Sequence, residues 1–173
     1  MGGEKDSPFS AVTVANGESS CGCMQARMKN PAARVPKVMQ AAYALGAAVK
    51  ESTVPAKTLK MIHLRASQIN NCGFCVDMHA KELQAMGETL ERVVSIAAWR
   101  DTPYYSEAER AVLALTESAT RLADRSDAVP DEVWEEVKRH YDEDQIASLL
   151  LNVAMINFWN RLTVSVRQVA GTM

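Results

Sequence analysis

Apolar residues recur at intervals of three and four positions over most of the chain, and this spacing predicts α-helices. No stretch alternates apolar and polar residues for long enough to favour a β-sheet. Together with Pro, Gly and capping residues, the spacing predicts about seven helices, at about residues 36–48, 57–69, 72–86, 89–99, 106–123, 130–140 and 144–169. The predicted fold class is therefore all-α, a helical bundle in one domain over residues 24–173.

Local signals support several of these helices. Ser106 and Glu109 have the spacing of a capping box, and Gly87 suits the residue that follows a helix C-terminus. The first helix begins at Pro36, a residue that favours a first turn. Its apolar residues predict one buried face, made of Val38, Met39, Ala42, Tyr43, Leu45 and Ala48.

Residues 1–23 stand apart from this pattern. The segment is rich in Gly and Ser and lacks helical spacing, so we interpret it as a flexible arm, an upstream-extended start or a cloning remnant. Cys21 and Cys23 lie in it, and we interpret this close thiol pair as incidental.

Charge and hydropathy narrow the function classes. The net charge of −2, with scattered basic residues, argues against partners such as nucleic acid or an anionic membrane surface. The most apolar stretch, residues 146–159, is interrupted by Asn152 and Asn157 and is too short to span a bilayer. No secretory signal is visible, and we expect a cytoplasmic location, where a close Cys pair is more typical of redox chemistry or metal binding than of a structural disulfide.

The candidate chemistry lies at the start of the third predicted helix. On a helix, Cys72, Cys75 and His79 fall within about 60° of one another, so their side chains share one face. A helix N-terminus stabilises a thiolate, and His79 follows Cys75 by one turn, within reach of its proton. A peroxide would oxidise one thiolate to a sulfenic acid, and the second thiol would condense with it to a disulfide.

Other interpretations of this cluster remain open at this point. The two Cys can be ordinary buried residues beside a hydrogen-bonded core histidine. Cys72, Cys75 and His79 also supply three zinc ligands, but a fourth is available only if Cys21 or Cys23 folds back. No glycine-rich nucleotide motif is present, so we expect no bound cofactor and no resident metal.

The run from Leu64 to His79 closely resembles the signature of AhpD-like alkylhydroperoxidases in the carboxymuconolactone decarboxylase family. Residues 98–116 and 156–161 resemble the continuation of the same subfamily, and the resemblance covers about residues 24–170. It implies an AhpD-like helical bundle that forms a homo-oligomer, a trimer or a hexamer.

The resemblance also implies an activity, the thiol-dependent reduction of alkyl hydroperoxides. It assigns Cys75 as the attacking thiol, Cys72 as the resolving thiol and His79 as the proton shuttle. Helix-dipole reasoning alone favours Cys72, the more N-terminal thiol, as the attacking group. The implied partners are a small hydroperoxide and an external dithiol reductant, which is a lipoylated protein in the best-known member.

One residue departs from the family pattern. The family has a relay Glu twelve residues before the first Cys, where this chain has Lys60, and a protonated lysine has no lone pair with which to accept a proton. We therefore expect weak peroxidase activity. Glu51, Asp77 and Glu82 are candidate replacements that the sequence does not place at the site. We expect His63 to be an ordinary surface or interface histidine.

Two alternative functions follow from the same residues. One is a lactone decarboxylase like the family's namesake, although such members generally lack the paired Cys. The other is a non-catalytic helical oligomer whose Cys pair acts as a redox sensor or a zinc clip, an alternative that Lys60 keeps open.

Overall fold

A computed structural model describes residues 24–49, 51–123 and 125–172. The predicted arm of residues 1–23, with Cys21 and Cys23, lies outside the described residues. Over the described ranges the chain forms helices and no strand, so the predicted all-α fold class is confirmed. None of these helices combines the length and the hydropathy that crossing a membrane requires.

The helices follow one another with short connections. They are α1 (Pro31–Arg34), α2 (Pro36–Ala48), α3 (Ala56–Ile69), α4 (Gly73–Ala85), α5 (Leu90–Ser95), a 3₁₀ segment (Ile96–Asp101), α6 (Glu107–Thr120), α7 (Asp131–Lys138) and α8 (Glu143–Ser165).

Helix α3 is the centre of the bundle, because it contacts α4, α6 and α8. One side of it, with Leu59 and Ile62, packs against apolar residues of α6, α7 and α8. The other side, with Met61 and Leu64, packs against α4, α5, the 3₁₀ segment and α6. A helix buried on both sides is held firmly, so side chains on α3 can position groups on α4 and α8.

Several predicted helix ends are confirmed and others are wrong. The capping box of Ser106 and Glu109 is present, and Gly87 has the left-handed φ of 81° expected after a helix C-terminus. The helix predicted at 89–99 ends earlier, because the backbone leaves α5 after Ser95 and Ala98 has non-helical angles. Helix α6 ends at Thr120 instead of at residue 123, and the single turn α1 was not predicted.

The buried face predicted for the first helix is wrong for most of its residues. Of that face, Ala42 is buried, whereas Val38, Tyr43 and Leu45 are 43%, 65% and 51% exposed. The physical reason is the position of α2, which packs against α1 and covers a cavity instead of lying against the core. The predicted oligomer is a separate question, and it stays a prediction.

A buried ion cluster ties the middle of the bundle together. The Glu117 carboxylate, whose side chain is 9% exposed, accepts hydrogen bonds from Arg65, Arg100 and the Trp99 indole, and Arg121 lies 3.6 Å away. Burial raises the pKa of Glu117, but the hydrogen bonds outweigh it, so that its pKa lies below the ordinary value of 4.5.

Candidate functional site

The two central cysteines form a disulfide at the N-terminus of α4. Cys72 is the N-cap residue rather than the first helical residue, and its Sγ accepts a hydrogen bond from the Cys75 backbone N–H at 3.3 Å. Asn71 precedes it in the left-handed region at φ 53°, a conformation that Asn tolerates well. This turn takes Cys72 out of ideal helical geometry and brings the two Cα atoms to 5.3 Å, within the range that a disulfide needs.

Thr163 on α8 lies against both sulfurs. Its Oγ1 is 3.0 Å from Cys72 Sγ and 3.3 Å from Cys75 Sγ. In the disulfide form, the backbone carbonyl oxygens of Trp159 and Asn160 are the acceptors for this hydroxyl. They lie 3.0 and 3.2 Å from Oγ1. After reduction the same hydroxyl can donate to a thiolate, a charge-assisted bond that favours the reactive form of the thiol.

A buried amide network holds the turn before Cys72 against α8. Asn70 donates to Asn157 at 3.0 Å and to Asn160 at 2.9 Å, and Asn160 in turn donates to Ser67 at 3.1 Å. Because these groups satisfy one another away from water, the network fixes the start of α4 relative to α3 and α8.

His79 carries an unpaired nitrogen at this site. Its ring is 4% exposed, its Nδ1 is 2.8 Å from Glu82 Oε2, and its Nε2 is fully buried without a hydrogen-bond partner among the described residues. An ionised carboxylate can only accept, so Nδ1 carries the proton and Nε2 keeps a free lone pair. Burial lowers the pKa of His79 below 6.5, although the hydrogen bond to Glu82 opposes this shift. The lowered pKa keeps the ring neutral.

Lys60 is the third member of a hydrogen-bonded series with Glu82 and His79. Its Nζ donates to Glu82 Oε2 at 2.7 Å, the same oxygen that His79 contacts. The hydrogen bond from His79, followed by that from Lys60, lowers the pKa of Glu82 to about 2, against the opposing effect of burial. The carboxylate that position 60 lacks is therefore supplied by Glu82, one turn after His79 on α4.

The other candidate replacements lie elsewhere. Asp77 pairs with Lys81 at 2.8 Å, one turn further along α4, and Glu51 is exposed in the connection before α3. Neither residue is part of the cavity wall beside His79.

The expectation that His63 is a surface histidine is wrong. Its side chain is 8% exposed, its Nε2 lies 3.1 Å from Asn152 Oδ1, and its ring centroid is 5.1 Å from that of His79. The physical reason is the central position of α3, which points this residue toward α8. Two imidazoles, one carboxylate and one ammonium group therefore share a single region.

A cavity of about 540 Å³ opens beside these groups. Cys75 lies in its wall, whereas Cys72 does not. The polar side chains of the wall are those of Asn30, Lys60, His63, His79, Glu82, Asn152, Thr163 and Gln168. Most of the remainder is apolar and comes from α2, α4 and α8, with Met39, Ala42, Tyr43, Phe74, Met78, Met155, Ile156 and Trp159. A small molecule with one polar end and an apolar body matches this lining.

Cys72, Cys75 and His79 lie at the N-cap and in the first two turns of α4, as the spacing predicted, and their catalytic roles stay predictions. Sequence analysis did not identify Thr163, Asn152 or the burial of His63, since only the packing of α3 and α8 brings these residues to the cavity. Among the described residues, no cluster of three or more His, Cys, Asp or Glu side chains has the arrangement of a metal site.

Comparison with known proteins agrees with this architecture. A model of the carboxymuconolactone decarboxylase family matches residues 36–118. The uncharacterized protein YdfG of Bacillus subtilis (strain 168) is 40% identical over 116 residues, which are 67% of this chain and 78% of that protein.

Solved structures show the same fold. A protein of unknown function from Agrobacterium tumefaciens, described as a candidate antioxidant defence protein AhpD, is 34% identical and superposes with a TM-score of 0.79 over 86% of this chain and 100% of that one. An uncharacterized peroxidase-related protein with an alkylhydroperoxidase AhpD core, from Ralstonia eutropha JMP134, is 19% identical and has a TM-score of 0.69 over 82% of this chain and 74% of that one.

Proposed function

We propose a thiol peroxidase activity for this chain, which belongs to the carboxymuconolactone decarboxylase family and has the AhpD-like fold. The observation that carries the proposal is the bare, buried Nε2 of His79, oriented by Glu82 one turn after the cavity-lining Cys75. An unpaired buried nitrogen costs stability, and a general base one helical turn after a nucleophilic thiol accounts for its presence.

The reaction begins from the dithiol. Neutral His79 accepts the proton of Cys75 at Nε2, and Glu82 stabilises the imidazolium that results. The thiolate attacks the terminal oxygen of a hydroperoxide, so that an S–O bond forms and the O–O bond breaks. The alkoxide that leaves takes the proton from His79 and becomes an alcohol.

The second half of the cycle uses Cys72. Its thiol condenses with the sulfenic acid on Cys75, which releases water and forms the disulfide. The net reaction consumes one hydroperoxide and two thiols and yields an alcohol, water and the disulfide. An external dithiol then reduces the disulfide by exchange and is itself oxidised.

The cavity supports Cys75 as the attacking thiol. Cys75 is in the cavity wall, while Cys72 lies behind it as the N-cap, where its sulfur accepts the Cys75 backbone N–H. Helix-dipole reasoning alone favours Cys72, but a thiol outside the cavity wall meets no substrate there. Access therefore outweighs the difference in dipole stabilisation.

The cavity also supports a substrate class. With about 540 Å³ and a largely apolar wall, it accommodates an organic hydroperoxide and offers little to hydrogen peroxide, which has no apolar part. We expect the second-order rate constant for cumene hydroperoxide to exceed that for hydrogen peroxide. Equal rate constants would contradict this substrate class.

The test of the function is thiol titration with matched variants. One equivalent of cumene hydroperoxide added to the reduced protein should consume two thiols, which dithiothreitol restores. The double variant Cys72→Ser/Cys75→Ser supplies the background from Cys21 and Cys23. If the wild type and the double variant lose thiols equally, the peroxidase proposal is wrong. The redox-sensor alternative then takes its place, provided that an oxidised dithiol reagent still converts Cys72 and Cys75 to the disulfide.

Single variants separate the two roles. Cys75→Ser should abolish hydroperoxide consumption, because it removes the nucleophile. Cys72→Ser should retain one round of oxidation and accumulate a sulfenic acid that dimedone traps. Turnover retained by Cys75→Ser would contradict the assignment of the attacking thiol.

A further inference from the structure

His63 is a second buried imidazole in the wall of the same cavity, and the reaction proposed above leaves it without a role. Its ring centroid lies 5.1 Å from that of His79, so both rings are within reach of one small molecule. What His63 can do there depends on which of its nitrogens carries the proton.

The hydrogen bonds of Asn152 decide that assignment. Its amide nitrogen donates to the backbone carbonyls of Val49 at 3.0 Å and Ser148 at 2.9 Å. Carbonyl oxygens only accept, so this end of the amide is the NH₂ group, and the oxygen faces His63. The oxygen in turn only accepts, so His63 Nε2 carries the proton across the 3.1 Å contact. A neutral ring then has a bare lone pair on Nδ1.

The ring is neutral at ordinary pH. Burial, and then the electrostatic effects of His79 and Lys60, lower the pKa of His63 to about 3, while Asn152 and Glu82 oppose the shift. These four residues, from α3, α4 and α8, are the polar and charged groups that act on it.

His63 lines the cavity and its Nε2 is engaged with Asn152, so Nδ1 is the nitrogen left for a ligand. Among the described residues, no group hydrogen-bonds to this nitrogen. It is also absent from the fully buried unpaired atoms of this part of the chain, which are His79 Nε2 and Ser148 Oγ. A nitrogen with no hydrogen bond to the described residues, on a ring that lines the cavity, can accept from a bound ligand.

We propose that His63 Nδ1 accepts a hydrogen bond from the O–H of the bound hydroperoxide and so orients its terminal oxygen toward Cys75. This inference rests on the peroxidase function proposed above. The hydrogen of the hydroperoxide stays on the terminal oxygen, which becomes the sulfenic acid oxygen when the O–O bond breaks. His63 therefore takes up no proton, and the two imidazoles divide the work: His79 moves the thiol proton and His63 positions the substrate.

The test compares two reagents on the same thiol. Cumene hydroperoxide has the O–H group that His63 is proposed to bind. Iodoacetamide alkylates the same thiolate but has no O–H group. We expect His63→Leu to lower the rate constant for cumene hydroperoxide about ten-fold, the value of one such hydrogen bond, and to change alkylation of Cys75 less than two-fold. His63→Gln, whose amide can both donate to Asn152 and accept from the substrate, should recover most of the rate.

The control is His140→Gln, a change in the turn after α7 at a histidine paired with the partly exposed Glu136. It should alter neither rate constant. If His63→Leu slows both reagents equally, or neither, the positioning role is wrong. If the wild type reacts with iodoacetamide and with no hydroperoxide, the peroxidase function fails first, and the two failures are thereby distinguished.

A second measurement does not depend on the folding of the leucine variant. In the unreactive double variant Cys72→Ser/Cys75→Ser, the ¹⁵N resonance of His63 Nδ1 should move upfield when cumene hydroperoxide is added. Cumene, which lacks the hydroperoxy group, should leave it unchanged. An Nδ1 resonance that responds to neither compound, or equally to both, overturns the proposal.

Discussion

Glu82 and Glu117 are both ionised carboxylates beside basic side chains, but they differ in whether the groups around them all have hydrogen-bond partners. The Glu117 side chain is 9% exposed, and both of its carboxylate oxygens accept hydrogen bonds, from Arg65, Arg100 and the Trp99 indole. The Glu82 side chain is 40% exposed and contacts Lys60 and His79. This series of hydrogen bonds ends at His79 Nε2, which has no hydrogen-bond partner in the described part of the protein. A saturated cluster stabilises a fold, whereas an open-ended one leaves a group free to react.

Removal of the saturated carboxylate should have the largest effect on stability. Glu117→Gln leaves the buried Arg65 without its ion-pair partner, which should cost about 3–5 kcal/mol of unfolding free energy. Peroxide turnover of the folded fraction should change little. Urea unfolding checks the first value, with Glu135→Gln as the control because that carboxylate is 58% exposed. A loss below about 1 kcal/mol would remove the distinction between the two clusters.

The pH dependence of stability should separate the clusters next. The folded pKa of His63, about 3, lies below its unfolded value of 6.5, so the unfolded chain binds the proton first as the pH falls. The stability contribution of neutral His63 is therefore fully present well above pH 6.5 and decreases toward acid, by roughly 2 kcal/mol between pH 6.5 and 4.5.

His63→Gln should flatten that part of the stability profile. The contribution of Glu117, whose pKa is lowered from 4.5, is lost only below pH 4.5 and should survive in the variant. Urea unfolding at several pH values measures both windows. A variant that retains the full wild-type slope above pH 4.5 would show that His63 is not the group responsible.

Replacement of Glu82, the carboxylate of the open-ended cluster, should lower the rate of peroxide turnover rather than the stability. Glu82→Gln removes the charge that stabilises protonated His79 and should lower peroxide turnover about 10²-fold. Because Glu82 is partly exposed, the unfolding free energy should change by less than about 1 kcal/mol. Asp77→Asn, on the same helix but paired with Lys81, is the matched control and should retain wild-type turnover. Equal losses in the two variants would contradict the relay.

The smallest expected effect belongs to Thr163. Thr163→Val keeps the shape of the side chain and removes the hydroxyl beside both sulfurs, so alkylation of the reduced protein by iodoacetamide should slow about five-fold. Thr163→Ser keeps the hydroxyl and should react like the wild type. Stopped-flow alkylation measures both, and a valine variant as reactive as the serine variant would exclude a contribution from this hydroxyl.

Much of the fold was predictable because its signals are local. The spacing of apolar residues predicted α3, α6, α7 and α8 within a few residues, and Ser106 with Glu109 marked the start of α6. The errors arose where tertiary contacts decide the outcome. The apolar residues of α2 predicted burial, but this helix covers a cavity and leaves Tyr43 exposed.

The candidate site divides in the same way. Glu82 follows His79 by three residues, so one helical face already related them, and that spacing was a usable signal. No such signal relates Lys60 to Glu82 across 22 residues, or Thr163 to Cys72 across 91. The prediction that Lys60 weakens the activity remains to be measured, and we propose Glu82, which contacts both Lys60 and His79, as the relay carboxylate.

The amino-acid sequence by itself determined that this chain is helical and that two sulfurs and an imidazole share the first turns of one helix, since both follow from residue spacing along a single element. Only the tertiary structure decided what surrounds them. The packing of α3 and α8 against α4 brings an ammonium group, a hydroxyl and a second imidazole to that helix, and it sets which nitrogen of His63 is free. The reason is that proton positions depend on hydrogen-bond partners distant in the chain, which no local pattern specifies.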